Sequence, residues 1–165
     1  INHHIVEYAS NNPESKGMGT TVVVALLTHD FLLYANVGDS SGFAMKNGHL
    51  LKVTKDHTLV QLLVQAGDLT EEEAKYHPKK NVLMKALGGE EDVVPDIYEV
   101  DMSFDAILLS SDGLTNMLSN EAIEKVLNDP ELSIEDKVVK LIRKCNARGG
   151  TDNISVAYLV KESGE

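Results

Sequence analysis

Apolar and polar positions in the first third of the chain predict one helix and then two strands. Ile1, Ile5 and Tyr8 share one helical face, and the residues from 11 to 13, Asn-Asn-Pro, end that helix. Continuous apolar runs over residues 20–28 and 31–37 predict strands buried on both faces, or nearly so.

The next residues predict a hairpin followed by two short helices. Apolar stretches at residues 43–45 and 49–53 flank Asn47-Gly48, which is a typical two-residue hairpin turn. An apolar stripe over residues 59–66 predicts a helix. Thr70 begins a capping box for an acidic helix.

The second half of the chain repeats this alternation, without a linker, an internal repeat or a low-complexity stretch. Strands separated and followed by helices, with tight hairpins, predict an α+β sandwich. Strands are expected at residues 82–87, 96–102, 106–109 and 153–160, and helices at 119–127 and 133–145.

Composition and charge exclude several functional classes. The chain has 165 residues and a net charge of -11, which argues against nucleic acid and against an anionic membrane surface as partners. No apolar run approaches the roughly 18 residues that a membrane span needs. The single cysteine, Cys145, cannot form an internal disulfide, and it lies on an apolar helical stripe. A cytoplasmic location is therefore expected, with Cys145 in the core.

Three aspartates stand where a predicted strand meets a turn, in Asn36-Val37-Gly38-Asp39-Ser40, Ser110-Ser111-Asp112-Gly113-Leu114 and Gly149-Gly150-Thr151-Asp152-Asn153. Each motif alone is a common turn sequence. Three converging carboxylates would repel one another unless cations neutralised them. Oxygen ligands without nearby His or Cys favour Mg²⁺ or Mn²⁺.

The order and spacing of five motifs over residues 16–160 resemble the metal-dependent Ser/Thr protein phosphatases of the 2C type, especially their compact bacterial members. The motifs are Gly17-Met18-Gly19-Thr20-Thr21, Asn36-Val37-Gly38-Asp39-Ser40, Asp56-His57-Thr58, Ser111-Asp112-Gly113-Leu114 and Gly149-Gly150-Thr151-Asp152-Asn153.

This resemblance implies a four-layer αββα sandwich of two antiparallel sheets flanked by helices. It implies hydrolysis of phosphomonoesters on Ser/Thr phosphoproteins by water that bridges two Mn²⁺ or Mg²⁺ ions, without a catalytic side chain beyond the metal ligands. Asp112 and Asp152 match the ligands of the two core ions, and Asp39 matches a ligand of a third, weaker ion. A Ser/Thr kinase is the implied opposing partner.

Further residues are candidates for contacting the substrate or for supporting the site. Residues 63–81 match the mobile flap beside the active site of the family and are called the flap here. Lys79 and Lys80 could attract a phosphorylated substrate, although exposed loop lysines commonly serve only solubility. Ser41, which follows Gly-Asp-Ser where the family usually has arginine, is a third candidate for binding substrate. His57 is expected to make local hydrogen bonds or to cap a helix rather than to act in catalysis.

Some features of the family do not occur in this chain. Its Asp-Gly-x-Gly-Gly segment, whose aspartate bridges the catalytic metals, is missing, and Asn116 stands where some members have another aspartate ligand. The chain is therefore expected to be one phosphatase domain over residues 1–165 without its N-terminal strands and first helix. It is expected to be inactive or impaired alone, and able to self-associate through its incomplete sheet. The alternative is a non-catalytic binding or regulatory module that retains the fold.

Overall fold

A computed structural model describes residues 1–161 of the chain. Its helices are α1 (Asn2–Asn11), α2 (Leu59–Ala66), α3 (Glu71–Tyr76), α4 (Asp112–Thr115), α5 (Asn120–Leu127) and α6 (Ile134–Ala147), with a 3₁₀ turn at Pro13–Ser15. Its strands are β1 (Val22–Leu27), β2 (Leu32–Val37), β3 (Ser41–Lys46), β4 (His49–Lys52), β5 (Asp96–Val100), β6 (Ala106–Ser110) and β7 (Val156–Val160). None of these helices combines the length and apolar character needed to cross a membrane.

The strands form two antiparallel sheets with flanking helices, which confirms the predicted fold class. The order is β1-β2-β5 in the first sheet and β4-β3-β6-β7 in the second. The predicted hairpin is the β3–β4 pair, in which Lys46 faces His49 and Asn47 adopts a positive φ of 52°. A left-handed residue followed by glycine is typical of this turn.

The chain divides into two compact units, which we describe separately. The first comprises Ile1–Val23, Ala35–Ser40 and Lys55–Ile97. The second comprises Val24–Tyr34, Ser41–Thr54 and the described residues from Tyr98 onward.

In the second unit, β3 contributes to two separate apolar clusters because successive side chains of a strand point to opposite faces. Phe43 and Met45 pack in a cluster that includes fully buried residues of α4, α5 and α6, among them Leu141 and Cys145. Ala44 belongs to the other cluster, with Leu32, Tyr34, Phe104 and Ile107. The expectation that Cys145 lies in the core is thus confirmed.

Two expectations about strands are wrong. Residues 82–87 form no strand, because Leu83 and Leu87 each make only an isolated bridge, to Thr58 and Thr20 respectively. Although residues 82–84 are apolar, their side chains are exposed. β1 lies at the edge of its sheet. It is not buried on both faces, because Val24 and Leu26, which share one face, are 45% and 52% exposed.

Candidate metal-binding site

Asp112 lies two residues beyond the end of β6. Ser111 is the N-cap of α4, and Asp112 is the first residue of that helix. The carboxylate is partly buried, and its Oδ2 accepts a hydrogen bond of 3.0 Å from Asn116 Nδ2. Asp112 therefore stands on the end of a buried strand, with an amide that restricts its orientation.

The loop that carries Asp152 is joined to the end of β6 by a small hydrogen-bond network. The Ser155 N–H donates to Ser111 Oγ at 3.0 Å, and the Ser111 N–H donates to the Ser155 carbonyl at 3.1 Å. Ser111 Oγ also donates to the Asn153 carbonyl at 3.3 Å. Because β6 and β7 pair antiparallel, the end of one strand lies next to the start of the other. The predicted ligands Asp112 and Asp152 thus belong to adjoining loops.

The surroundings of the Asp112 carboxyl disfavour its negative charge. Burial raises the pKa of the Asp112 carboxyl above its usual value, and the negative charge of Asp152 raises it further. Hydrogen bonds from the Gly113 N–H and from the Asn116 side chain lower the pKa of Asp112, but they do not offset these effects. The two negative charges therefore repel each other, and a bound cation would reduce this repulsion.

This donor set fits a hard divalent cation, since such ions prefer carboxylate oxygens. It supplies only part of a coordination sphere, because Mg²⁺ takes about six oxygen ligands and keeps several waters. Within residues 1–161, no group of three or more His, Cys, Asp and Glu side chains is placed to hold a metal ion. The structure thus places Asp112 and Asp152 in adjoining loops of the second unit.

Asp39, the third predicted ligand, belongs to the first unit, where it lies on a tightly held turn. Gly38 has a φ of +105°, and a Cβ there would come within 2.3 Å of Thr21 Cγ2. Asn36 Nδ2 donates to the Gly38 carbonyl at 3.1 Å, and the hydroxyls of Thr21 and Ser40 lie 2.8 Å apart. Only glycine suits this backbone conformation and this space. The role of Asp39 as a ligand stays a prediction.

The three residues proposed to bind substrate lie in different environments. Ser41 is fully buried, and its Oγ has no hydrogen-bond partner among the described residues. In this structure the hydroxyl is closed off from solvent and hence from a substrate. Lys79 is exposed and Lys80 partly exposed, as expected for a loop. A contact of either lysine with phosphate stays a prediction.

Sequence analysis missed the role of Asn116 and the network around Ser111. Asn116 follows Asp112 by four residues, the spacing at which side chains on a helix meet, and this signal could have predicted their contact. The network could not be predicted from spacing, because Ser111 and Ser155 are 44 residues apart.

Comparison with known proteins identifies the class. The model of the protein phosphatase 2C family matches residues 3–154. This chain therefore belongs to the protein phosphatase 2C family, and the resemblance found in the sequence is confirmed.

Individual relatives that the chain matches are bacterial Ser/Thr phosphatases. The chain is 41% identical over 157 residues to "Serine/threonine phosphatase stp" of Listeria welshimeri, an alignment that covers 94% of this chain and 62% of that protein. The crystal structure of Stp1 from Staphylococcus aureus superposes with a TM-score of 0.92 at 35% identity, covering 99% of this chain and 64% of that one.

The crystal structure of a third relative contains manganese. The catalytic domain of the Ser/Thr protein phosphatase PstP "in complex with 2 Manganese ions" has a TM-score of 0.82 and 35% identity, covering 94% of this chain and 64% of that one. The chain thus spans less than two thirds of the length of each of these relatives.

Proposed function

We propose that this chain is part of a metal-dependent protein Ser/Thr phosphatase that hydrolyses phosphomonoesters on phosphoproteins. The observation that carries the proposal is the Asp112–Asp152 pair, in which burial and mutual repulsion raise the pKa of Asp112. Family membership supports the same reaction. The alternative, a non-catalytic module, is not favoured, because it gives no reason for two carboxylates held in adjoining loops.

Asp112 and Asp152 would hold the core divalent ions, and Asp39 would contribute to a third. Mn²⁺ or Mg²⁺ is the proposed ion, and the relative with two manganese ions supports this class of cation. Bound ions of this kind would activate water and offset the negative charge that develops on the phosphoryl oxygens. The part of this chain is to hold the carboxylates: Asn116 orients Asp112, and the Ser111 network fixes the spacing of the two loops.

The proposed substrates are proteins phosphorylated on Ser or Thr, opposed by a Ser/Thr kinase in the cytoplasm. Lys79 and Lys80 would attract the phosphate through their charge. Self-association would occur through exposed strands such as β1, where Val24 and Leu26 are about half exposed. An unpaired, apolar edge strand is a template for pairing with another chain.

The metal site is tested by titrating the chain with Mn²⁺ in a calorimeter. Asp112→Asn and Asp152→Asn should each abolish binding at the pair, because they remove the charge that attracts the ion. Asp68→Asn, at an exposed position, is the matched control and should bind as the unaltered chain does. Absence of Mn²⁺ binding, or equal binding by Asp112→Asn, would contradict the proposal.

Activity is measured separately, on a phosphothreonine peptide with and without Mn²⁺. We expect slow, metal-dependent turnover or none from this chain, for lack of the bridging aspartate. Turnover independent of both metal and Asp112 would refute the proposed mechanism.

A further inference from the structure

His57 lies at the base of the flap, in the first unit. The Met84 N–H donates to the His57 carbonyl at 2.7 Å, and Thr58 forms a bridge with Leu83. These contacts join the residues that precede the flap to those that follow it. His57 therefore belongs to the point where the two ends of the flap meet.

The same residue holds the turn that carries Asp39. The His57 N–H donates to the Gly38 carbonyl at 2.9 Å, and the Gly38 N–H donates to His57 Nδ1 at 3.0 Å. Both polar backbone groups of Gly38 are thus bound by one residue that is 19 positions away. Since Gly38 is the immediate neighbour of Asp39, its placement constrains that of the Asp39 carboxylate.

The other ring nitrogen of His57 faces a carboxylate. Because Nδ1 accepts a backbone hydrogen bond, the neutral ring carries its proton on Nε2. Nε2 lies 3.2 Å from Asp96 Oδ2, and the His57 side chain is only 11% exposed. Lys85 Nζ donates to Asp96 Oδ1 at 2.7 Å and to the Val94 carbonyl at 3.0 Å. Lys85 thus holds Asp96 in place beside the His57 ring.

We propose that His57 is a positioning residue that couples the flap to the turn carrying Asp39, so that order in one depends on order in the other. The His57 carbonyl accepts from the Met84 N–H at the base of the flap. Its Nδ1 accepts from the Gly38 N–H, and its Nε2 faces Asp96. A motion of residues 83–84 would pass to Gly38 through one residue, His57, by way of its backbone N–H and its ring. The link to metal binding rests on the proposed function, because it requires Asp39 to be a ligand.

The test uses two substitutions that each keep one ring nitrogen's role. His57→Asn places an amide oxygen near the position of Nδ1 and keeps an acceptor for the Gly38 N–H. His57→Gln places an amide nitrogen near the position of Nε2, beside Asp96, but loses the acceptor for the Gly38 N–H. His29→Gln is the control, because the His29 side chain is 99% exposed.

Amide hydrogen exchange is measured on the metal-free chain. In His57→Gln we expect faster exchange of the Gly38 N–H, on the order of tenfold for one lost hydrogen bond, together with faster exchange of the Met84 N–H. His57→Asn should protect both amides as the unaltered chain does.

Three results would overturn the proposal: unchanged exchange in His57→Gln, loosening of the turn without loosening of the Met84 amide, or an equal increase at all amides. The last result would show that the residue serves only general stability.

Mn²⁺ titration of the same variants separates this proposal from the proposed function. In His57→Gln, Mn²⁺ binding at the Asp112–Asp152 pair should persist. Any weaker Mn²⁺ binding that depends on Asp39 should lose affinity in His57→Gln and keep its affinity in His57→Asn. If the unaltered chain binds no Mn²⁺, the proposed function fails, but the exchange data still decide whether His57 couples the flap to the turn. If Asp39-dependent binding exists and His57→Gln leaves it intact, the coupling to the ligand is refuted.

Discussion

Gly113 is the position at which a single methyl group should disturb the candidate metal site most directly. It follows Asp112 in α4 and lies against the loop of Asp152. A Cβ at this position would lie 2.3 Å from the carbonyl oxygen of Asn153, whereas real Cβ atoms essentially never come within 3.0 Å of a heavy atom outside their own residue and its chain neighbours. The obstacle is backbone, so Gly113→Ala requires the two loops to move apart.

The magnitude follows from two opposed effects. Forcing an extra methyl group into a packed site costs about 1–3 kcal/mol. Alanine in a helix is more favourable than glycine by about 1 kcal/mol. We therefore expect Gly113→Ala to lower the free energy of unfolding by about 1 kcal/mol. The shift also separates Asp112 from Asp152, so the affinity for Mn²⁺ should fall by about tenfold, which corresponds to about 1.4 kcal/mol.

The free energy of unfolding is measured by urea denaturation followed by circular dichroism, and the affinity by calorimetric titration with Mn²⁺. Gly89→Ala is the control, because a Cβ there would lie at an ordinary 3.4 Å from the Ala86 carbonyl oxygen. If Gly113→Ala is as stable as the unaltered chain and binds Mn²⁺ equally well, the close approach does not set the spacing of the loops and the reasoning is refuted.

Two further predictions concern stability in the second unit. Leu141→Ala should lower the free energy of unfolding in urea by about 2–5 kcal/mol, because Leu141 is fully buried, whereas Val139→Ala on the same helix, 41% exposed, should have a much smaller effect. The pKa of Asp129 is lowered, first by the hydrogen bond from Lys140 and then by that from the Glu131 N–H. Its stabilising contribution is therefore present above the unfolded-state pKa of about 3.9 and is lost as the pH falls through the lower folded-state pKa. In Asp129→Asn, urea denaturation at pH 7 and pH 3 should show a smaller acid-dependent loss, and an unchanged loss would contradict the assignment.

The sequence alone determined the type and the approximate position of most elements. Helices such as α6 are marked by caps, and Ser133 caps α6 as its side chain accepts from the Asp136 N–H. The β3–β4 hairpin follows from Asn47-Gly48. These signals are local, because capping and turn conformation depend on residues only a few positions apart. The motif aspartates were also recognisable in the sequence, since their order and spacing carry the resemblance to the family.

Tertiary structure decided the properties that depend on distant residues. The apolar content of residues 82–87 predicted a strand, but a strand needs a partner along its length, and these residues find only two isolated bridges. Apolar character likewise could not show that β1 would be an edge strand with exposed side chains.

The candidate site depends on long-range contacts in the same way. Spacing places Asp112 and Asp152 at strand ends, but only the pairing of β6 with β7 makes those ends neighbours. His57 was expected to form local hydrogen bonds only, whereas its ring binds Gly38 and faces Asp96 from positions far apart in the sequence. The sequence thus determined which groups are available for chemistry, and the folded chain determined which of them meet, because proximity in space arises from strand pairing and loop packing that residue spacing does not encode.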